Sequence, residues 1–164
     1  MLTIDTINDL LCYNPSTGIF TWRVDRTGGI KAGDEAGYIQ KDGYRRIKIK
    51  GKTHPAHRLA YQIVHGSVNG AIDHIDRNRD NNAIQNLRLC TNNQNQFNRL
   101  KSSANTSGKK GVTWHKKSSK WQAAASIKGR KIHLGLFINI NDASLAYLNF
   151  CKKHHGEFYA GGER

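Results

Sequence analysis

The sequence predicts an α+β protein organised as two domains. Segments with helical periodicity alternate with strand-like segments along the whole chain, which indicates a mixed fold. The stretch KSSANTSGKK, residues 101–110, has the composition of a linker, and a pattern of three strands and one helix follows it. We therefore expect one domain at residues 1–100 and a second at residues 111–160, and the 164 residues suffice for two modest cores.

The first domain begins with short elements. Residues 3–13 predict a helix, the YNPSTG stretch (residues 13–18) predicts a turn, and residues 19–24 predict a strand. Residues 37–54 predict a β-hairpin that turns at Lys41-Asp42-Gly43.

The second strand of this hairpin is expected to carry a basic face. Ile47 and Ile49 alternate with Arg46 and Lys48, so the apolar and basic side chains fall on opposite faces. A solvated sheet face and a surface that contacts the DNA backbone explain this pattern equally well. Arg46 and Lys48 are therefore candidates for DNA contact.

The segment that follows predicts a helix, a second hairpin and another helix. His57–Gly66 is expected to be helical, with its final glycine as the C-terminal cap. Ala71–Ile75 predicts a strand, DRNRDNN a polar loop and Ile84–Leu89 a second strand. Thr91 is expected to cap a helix that runs to about Leu100.

The second domain has the clearest pattern. Residues 111–137 predict three strands joined by the turns KKSSK and KGRK, and residues 141–155 predict a helix with Asn141 as its N-cap. The apolar stripe of this helix is Ala143, Ala146, Tyr147, Phe150 and Cys151. The side chains expected to face the helix are Val112, Trp114, Trp121, Ala123, Ala125, Ile127, Ile132 and Leu134. Those expected on the free face are Thr113, His115, Gln122, Ala124, Ser126, Lys131 and His133.

Charge is the strongest bulk signal. The chain has 26 Lys and Arg against 12 Asp and Glu, a net charge of +14, which favours a polyanionic partner. Nucleic acid is preferred over an anionic membrane, because the chain has no basic amphipathic helix. No apolar run approaches the ~18 residues that a membrane span needs. We expect double-stranded DNA as the partner, with no membrane and no small-molecule cofactor.

Cysteine usage excludes several other classes. Cys12, Cys90 and Cys151 are widely spaced and form no CxxC pair, so neither a disulfide framework nor a four-cysteine zinc site is expected. A mixed zinc site would have to draw on His54, His57, His65, His74 and Cys90, whose spacing matches no zinc finger. Reduced thiols and an N-terminus unlike a signal peptide predict a cytoplasmic protein.

The stretch AIDHIDRNRDNNAIQNLRLCTNNQNQFN, residues 71–98, gathers eight asparagines around Asp73-His74. Phosphodiester hydrolysis needs a base, a cation and a scaffold that aligns both. Histidine is the natural base near neutral pH, and a carboxylate with an amide carbonyl suits Mg²⁺. A strand–loop–strand–helix path would bring Asn95 near Asp73. The asparagines most simply explained as turn or helix-surface residues are Asn78, Asn81, Asn92, Asn93 and Asn98.

The spacing DH-x11-N-x8-N within this stretch resembles the motif of HNH endonucleases, in the phage- and intron-encoded homing-type branch whose last motif residue is Asn. YNPSTGIFTW, GYIQKDGYRRIKI and HRLAYQIVHG also resemble these enzymes. The resemblance implies a ββα-metal core at about residues 54–100 that holds one divalent ion, Mg²⁺ with Mn²⁺ as the alternative.

The resemblance also implies a role for each motif residue. His74 would be the general base that activates water. Asp73 and Asn95 would bind the metal together with the scissile phosphate. Asn86 would brace the hairpin and orient His74, whereas Asn82 matches a loop residue with a structural role.

An HR pair lies upstream of this motif in the sequence. His57 and Arg58 match a pair found before the motif in these enzymes, and we expect them to contact phosphate or to support the site.

Residues 109–158 resemble an APETALA2/ethylene-response-factor-type DNA-binding domain. The similarity lies in KGV at residues 110–112, KW at residues 120–121, HLGLF and the Ala-x-x-Ala-Tyr helix. Such domains lay the sheet in the major groove of DNA. The contacting set that the resemblance implies is Lys110, Thr113, His115, Ala124, Ser126, Lys131 and His133. Thr, Ala and Ser replace the Arg and Glu base readers of the plant domains, so phosphate contacts are expected to dominate.

Together these observations predict a metal-dependent DNA endonuclease, homing-type and phage-encoded. A DNA-binding regulator with an inactive nuclease fold is the alternative, and RNA binding by the basic surface alone is a third class. The presence of Asp73, His74 and Asn95 favours the enzyme. RNA binding alone predicts no metal dependence.

Overall fold

A computed structural model of the chain describes residues 2–91, 94–95, 104–127 and 129–155. It divides into two compact units, residues 1–91 and residues 92–164, which we call the N-terminal and C-terminal units. Both mix helices with antiparallel sheets. Within the described residues, no helix is both long and apolar enough to cross a bilayer.

The N-terminal unit packs two helices against three small antiparallel sheets. The helices are α1 (Ile4–Leu10) and α2 (Ala56–His65). The strands are β1 (Leu11–Tyr13), β2 (Phe20–Trp22), β3 (Tyr38–Ile39), β4 (Arg45–Ile49), β5 (Lys52–Pro55), β6 (Ala71–His74) and β7 (Leu87–Cys90). They pair as β1–β2, β3–β4–β5 and β6–β7. The largest apolar side chains of its buried core are Ile7, Leu11, Phe20, Trp22, Ile47, Ile49, Leu59, Ile72 and Leu87.

Helix α1 is shorter than the periodicity of residues 3–13 predicts. Thr3 caps it by accepting a hydrogen bond from the Thr6 amide, and the helix ends at Leu10. The next three residues form β1, whose Leu11 pairs with Trp22 of β2. Strand pairing across the following turn therefore overrides the helical pattern at residues 11–13.

The first predicted hairpin is confirmed and is extended by a third strand. Gly43 donates its amide to the Gln40 carbonyl at 2.8 Å, which closes the turn at the predicted position. In β4, Ile47 and Ile49 are buried, whereas Lys48 is exposed and Arg46 is half-buried. The chain then turns back at Lys50 and Gly51 into β5.

The second hairpin, β6–β7, differs from the prediction at the start of its second strand. Residues 84–86 form a 3-10 turn and not a strand. The amide of Ile84 donates to the Pro15 carbonyl at 2.9 Å, so a contact distant in sequence fixes this turn. Gln94 and Asn95 are helical, and the remainder of the helix predicted from Thr91 lies outside the described residues.

The C-terminal unit packs one helix on a three-stranded antiparallel sheet, as predicted. The strands are β8 (Val112–His115), β9 (Lys120–Ile127) and β10 (Arg130–Phe137), with β9 in the centre, and the helix is α3 (Ile140–His155). Its buried clusters contain Val112, Ala123, Ala125, Ala143, Tyr147 and Cys151.

Three details of the C-terminal unit correct the prediction. Trp114 and Ile132 were expected to face the helix, yet they are 48% and 36% exposed, because neither lies in the clusters that α3 buries. The cap of α3 is Asn139 and not Asn141, since the Asn139 side chain accepts the Asn141 amide at 2.8 Å. Residues 104–110 of the predicted linker form a bonded turn, in which Ser107 Oγ lies 2.7 Å from the Val112 carbonyl oxygen.

Candidate active site

Strand β6 ends in two adjacent buried polar residues, Asp73 and His74. They are 5% and 3% exposed, in contrast to the exposed Ile75 that follows. Alternation along a strand directs neighbouring side chains to opposite faces, so each has its own set of partners. Burial of two ionisable side chains in sequence requires compensation by specific contacts.

Asp73 is compensated by an arginine on the opposite strand. Arg88 stands across from Asp73 in the β6–β7 register, and its Nε and Nη2 atoms donate to Asp73 Oδ2 at 3.0 and 2.8 Å. The Arg88 side chain is itself 13% exposed. Sequence reasoning missed Arg88, although the two-strand pattern contained the signal that it would lie opposite Asp73.

His74 contacts the loop that joins β6 to β7. Its Nε2 atom lies 3.3 Å from Asn82 Oδ1. The Asn82 amide nitrogen donates to the Asp80 carbonyl at 3.0 Å, and this contact orients the amide oxygen towards the histidine. Since Asn82 presents an acceptor, the His74 proton is expected on Nε2.

The surroundings keep His74 neutral near pH 7. Burial is the largest influence and lowers the pKa of His74, while the Asn82 contact and the nearby Asp76 act in the opposite direction. A neutral imidazole with its proton on Nε2 carries a lone pair on Nδ1. The side chain therefore has the protonation state that a general base requires.

Asn86 braces the β6–β7 loop from within. Its amide nitrogen donates to Asp76 Oδ1 at 2.9 Å and to the Asn81 carbonyl at 2.7 Å, and its amide oxygen accepts the Asp76 amide at 2.9 Å. One buried side chain thereby closes the loop at both ends. This geometry fits the bracing role expected from the sequence, and the expected contact with His74 stays a prediction.

His74 belongs to a cluster of three rings. The ring centroids of Tyr44 and His57 lie 5.8 and 5.2 Å from that of His74, and the Tyr44 and His57 centroids are 5.2 Å apart. Burial is the main cause that lowers the pKa of His57 to about 3. His57 Nδ1 is buried without a hydrogen-bond partner among the described residues. Sequence reasoning placed His57 near the site but missed Tyr44.

Arginines surround the outer side of the Tyr44 ring. The guanidinium carbon of Arg79 lies 4.9 Å from the ring centroid, and that of Arg46 lies 5.9 Å from it. Arg46 also forms an ion pair with Asp42 at 2.9 Å. The structure thus brings the predicted Arg46 close to the ring cluster, together with Arg79, which sequence reasoning did not select.

Two further predicted DNA-contact residues lie on α2 and β4. Arg58 on α2 donates from Nη1 to the Gly70 carbonyl at 3.1 Å, which ties the helix to the residue before β6. Lys48 is exposed on β4.

The donor set that the sequence predicts for a metal consists of one carboxylate and one amide. Asp73 lies in β6, and Asn95 is helical and half-buried. Hard oxygen donors of this kind, few in number and completed by water and phosphate, fit Mg²⁺ better than Zn²⁺. Among the described residues, no group of three or more His, Cys, Asp or Glu side chains could hold a metal ion.

The predicted DNA-contact residues of the C-terminal unit share one face of its sheet. Strand register pairs Ser126 with Lys131, Ala124 with His133 and Thr113 with Gln122. Thr113, Ser126, Lys131 and His133 are exposed, and His115 is half-buried. His115 Nδ1 lies 2.7 Å from Ser118 Oγ. Lys110 precedes β8 and is half-buried. The face is polar and basic, as the sequence predicts.

Comparison with known proteins connects the first of these sites to a family. Residues 54–97 match the family model described as HNH endonuclease. "Protein 3.8" of Escherichia phage T7 is 40% identical over 60 residues, which are 37% of this chain and 50% of that protein. "DNA endonuclease I-HmuI" of Bacillus phage SP01 is 40% identical over 89 residues, which are 48% of this chain and 51% of that protein.

A viral relative is also similar. "Uncharacterized HNH endonuclease L560" of Acanthamoeba polyphaga mimivirus is 42% identical over 78 residues, covering 46% of this chain and 39% of that protein. The chain thus spans about half, or less, of the curated relatives it matches.

The solved structure is described as "DNA binding and cleavage by the HNH homing endonuclease I-HmuI". Its superposition on this chain has a TM-score of 0.43 at 28% sequence identity. The match covers 80% of this chain and 75% of the chain in the solved structure. A score of this size does not establish a shared overall fold. From the family match and its phage relatives, we conclude that the chain contains an HNH endonuclease domain, whose matched residues 54–97 include the buried Asp73-His74 pair.

Proposed function

We propose that the protein is a divalent-metal-dependent endonuclease that hydrolyses phosphodiester bonds in double-stranded DNA. We further propose that it is homing-type, phage-encoded and active inside the host cell. The observation that carries the proposal is the buried, neutral His74 beside Asp73 within the residues that match the HNH endonuclease model. The charge of +14 supports a polyanionic substrate.

His74 is the general base in this mechanism. Its proton lies on Nε2 and is donated to Asn82 Oδ1, so Nδ1 takes the proton from the attacking water. Asn82 stabilises the imidazolium that then forms, because its amide oxygen is already directed at Nε2. Asn86 acts as a positioning residue that fixes the loop carrying Asn82.

Asp73 and Asn95 would hold the metal ion, Mg²⁺ with Mn²⁺ as the alternative. The ion, when bound, neutralises charge on the scissile phosphate and on the leaving oxygen. Arg88 donates to Asp73 Oδ2 and keeps the carboxylate in place for this role.

DNA binding extends over both units in this proposal. In the N-terminal unit we assign phosphate contacts to the predicted residues His57, Arg58, Arg46 and Lys48. In the second domain predicted from the sequence, residues 111–160, the resemblance to APETALA2-type domains and the basic sheet face support placement of the sheet in the major groove. The residues assigned to that contact are Lys110, Thr113, His115, Ser126, Lys131 and His133.

Supercoiled plasmid provides the decisive substrate. The parent protein is expected to nick or linearise it with Mg²⁺ or Mn²⁺ and to leave it intact with a chelator. The His74→Ala variant is expected to lose at least about 10²-fold in rate, the scale of a lost general base. The matched control is His65→Ala, since His65 is an exposed histidine at the end of α2.

Each outcome decides between the readings. Metal-dependent cleavage by the parent and by the His65 variant, without cleavage by the His74 variant, supports the nuclease and its base. A gel shift without cleavage in every metal and on DNA with candidate sites would instead support a DNA-binding regulator. Binding confined to RNA, without metal dependence, would support the third class.

A further inference from the structure

Arg79 lies in the loop between β6 and β7 and has no role in the site described so far. It is an exposed side chain, three residues before Asn82, the residue that contacts His74 Nε2. Exposed arginines in loops usually lose much side-chain entropy when they bind a ligand. The contacts of Arg79 reduce that loss.

The β3–β4 turn holds the Arg79 side chain at three points. Its Nη1 atom donates to the Asp42 carbonyl at 2.6 Å. Its Cβ and Cδ atoms lie 3.8 and 3.6 Å from the position that a Cβ at Gly43 would take, so the aliphatic stem passes over that glycine. Its guanidinium carbon lies 4.9 Å from the Tyr44 ring centroid, within the range of a cation–π interaction.

Arg79 differs from neighbouring arginines because no carboxylate pairs with it. Arg45 pairs with Glu35 and Asp80, and Arg88 pairs with Asp73. Over the part of the chain that the structure describes, no carboxylate oxygen of Asp or Glu lies within 4.0 Å of an Arg79 nitrogen. A guanidinium has five N–H donors, and the Asp42 carbonyl occupies one of them.

Arg79 and His74 share a contact with the same ring. The Tyr44 centroid lies 4.9 Å from the Arg79 guanidinium carbon and 5.8 Å from the His74 ring centroid. A fixed cation beside a base, with no carboxylate in an ion pair with it among the described residues, is the arrangement expected for an anion-binding side chain.

We propose that Arg79 binds the DNA phosphodiester that faces His74 and donates to the non-bridging oxygens of that phosphate. In this proposal Tyr44 positions both Arg79 and His74. This inference rests on the proposed endonuclease function. Arg79 thereby places a positively charged side chain against the phosphate. Tyr44 acts through the two residues that it contacts.

DNA binding tests the phosphate contact without requiring cleavage. The affinity for a short DNA duplex is measured by fluorescence anisotropy in chelator at several salt concentrations, for the parent and for Arg79→Ala. One lost phosphate contact reduces the slope of log K against log salt by about 0.9. Arg26→Ala is the matched control, because Arg26 also lies over a ring, Trp22 at 4.4 Å, and belongs to the same unit. Equal slopes for the two variants would refute the contact.

Single-turnover cleavage of plasmid tests the position of the contact. Loss of a donor to the reacting group lowers the rate by about 10²–10³-fold, so Arg79→Ala is expected to fall by that factor. Arg79→Lys keeps the charge but not the planar donors, and it should recover only part of the rate. In steady-state cleavage, Tyr44→Leu should lower kcat more than it changes KM, whereas Tyr44→Phe, which keeps the ring, should retain most of the activity.

The outcomes separate the two proposals. If the parent cleaves and Arg79→Ala cleaves equally fast, Arg79 does not bind the scissile phosphate although the endonuclease function stands. If the parent itself does not cleave, the endonuclease proposal fails, and the salt slope alone still decides whether Arg79 binds a DNA phosphate. Unchanged thermal unfolding of each variant excludes a loss of fold as the cause.

Discussion

Asp73 is a buried side chain whose ion pair with Arg88 compensates its burial. Its carboxylate is 5% exposed and accepts from Arg88 at 2.8 and 3.0 Å. The pair thus contributes to the stability of the β6–β7 hairpin.

Removal of one partner of this pair is expected to destabilise the N-terminal unit more than removal of both. Arg88→Ala leaves a buried carboxylate without its main partner and should lower the free energy of unfolding by about 3 kcal/mol. The double variant Asp73→Asn with Arg88→Met should recover much of this loss. Urea denaturation checks both values, and a double variant that is less stable than the single one would contradict the explanation.

The buried imidazole of His57 predicts a loss of stability in mild acid. Its pKa is lowered to about 3, whereas the unfolded chain has the ordinary value of 6.5, so the unfolded state binds more protons between these values. Stability is therefore complete above about pH 6.5 and is lost as the pH falls towards 3. The slope is about 1.4 kcal/mol per pH unit for one proton.

A variant isolates the contribution of His57 to this slope. His57→Gln should show a weaker dependence of unfolding free energy on pH between about 6.5 and 4.5, above the range where carboxylates titrate. His65→Gln removes an exposed histidine and should retain the slope of the parent. Identical slopes for all three proteins would show that His57 is accessible to protons in the folded state.

Residue type and spacing indicated the candidate pair Asp73-His74 but not its supporting contacts. Asp73 and His74 are adjacent and chemically distinctive, so the sequence alone indicates them. Tyr44 and Arg79 lie 35 residues apart in the numbering and meet only because the β3–β4 turn approaches the β6–β7 loop. Local patterns contain no signal for such an approach.

Among the secondary structure elements, the YNPSTG turn contacts and supports the loop between β6 and β7. Tyr13 Oη donates to the Asn82 carbonyl at 2.8 Å, and the Pro15 carbonyl accepts the Ile84 amide at 2.9 Å. Gly18 lies so close to the backbone of this segment that a Cβ at Gly18 would stand 2.2 Å from the Ala83 nitrogen. The turn therefore fixes the segment that carries Asn82.

Gly18→Ala is expected to disturb both this packing and the β6–β7 loop. Gly28→Ala is the control, since φ is +83° at Gly28 and +77° at Gly18, but no atom lies within 4 Å of a Cβ at Gly28. The control reports backbone strain alone, on the order of 1–3 kcal/mol. Gly18→Ala should be clearly less stable in urea denaturation and should also cleave plasmid more slowly, and equal losses would contradict the close approach.

The pattern of strands and helices could largely be predicted, whereas several boundaries could not. Binary alternation identified β4 and the three strands of the C-terminal unit, because one face of each sheet is buried. Residues 84–86 and the end of α1 were predicted wrongly, since contacts with Pro15 and Trp22 decide their conformation. Tertiary contacts of this kind override local periodicity.

Over the whole molecule, positive charge is shared by two units with different surfaces. The net charge of +14 predicts DNA affinity that falls steeply with salt. The C-terminal unit presents Lys131 and His133 on an exposed sheet face, opposite the face that packs on α3. Composition predicted the class of partner, and strand register decided which side chains share a face.

A pair of lysines tests which face of the C-terminal unit contacts DNA. Lys131→Gln removes a charge from the sheet face, and Lys152→Gln removes an exposed charge from α3. Only the first should reduce the slope of log K against log salt, by about 0.9, on a short duplex. A reduction for the helix variant alone would place the contact on the other side of this unit.

The three cysteines are distributed so that each unit contains one buried thiol. Cys90 lies in the N-terminal unit and Cys151 in the C-terminal unit, whereas Cys12 is exposed. Burial raises the pKa of both buried thiols, so each reacts with a thiol reagent only after local opening. In a Cys12→Ser background, the labelling rates of Cys90 and Cys151 would measure separately how often the N-terminal unit and the C-terminal unit open. A single common rate would mean that they open together, and DNA that slows only one of them would identify the unit it holds closed.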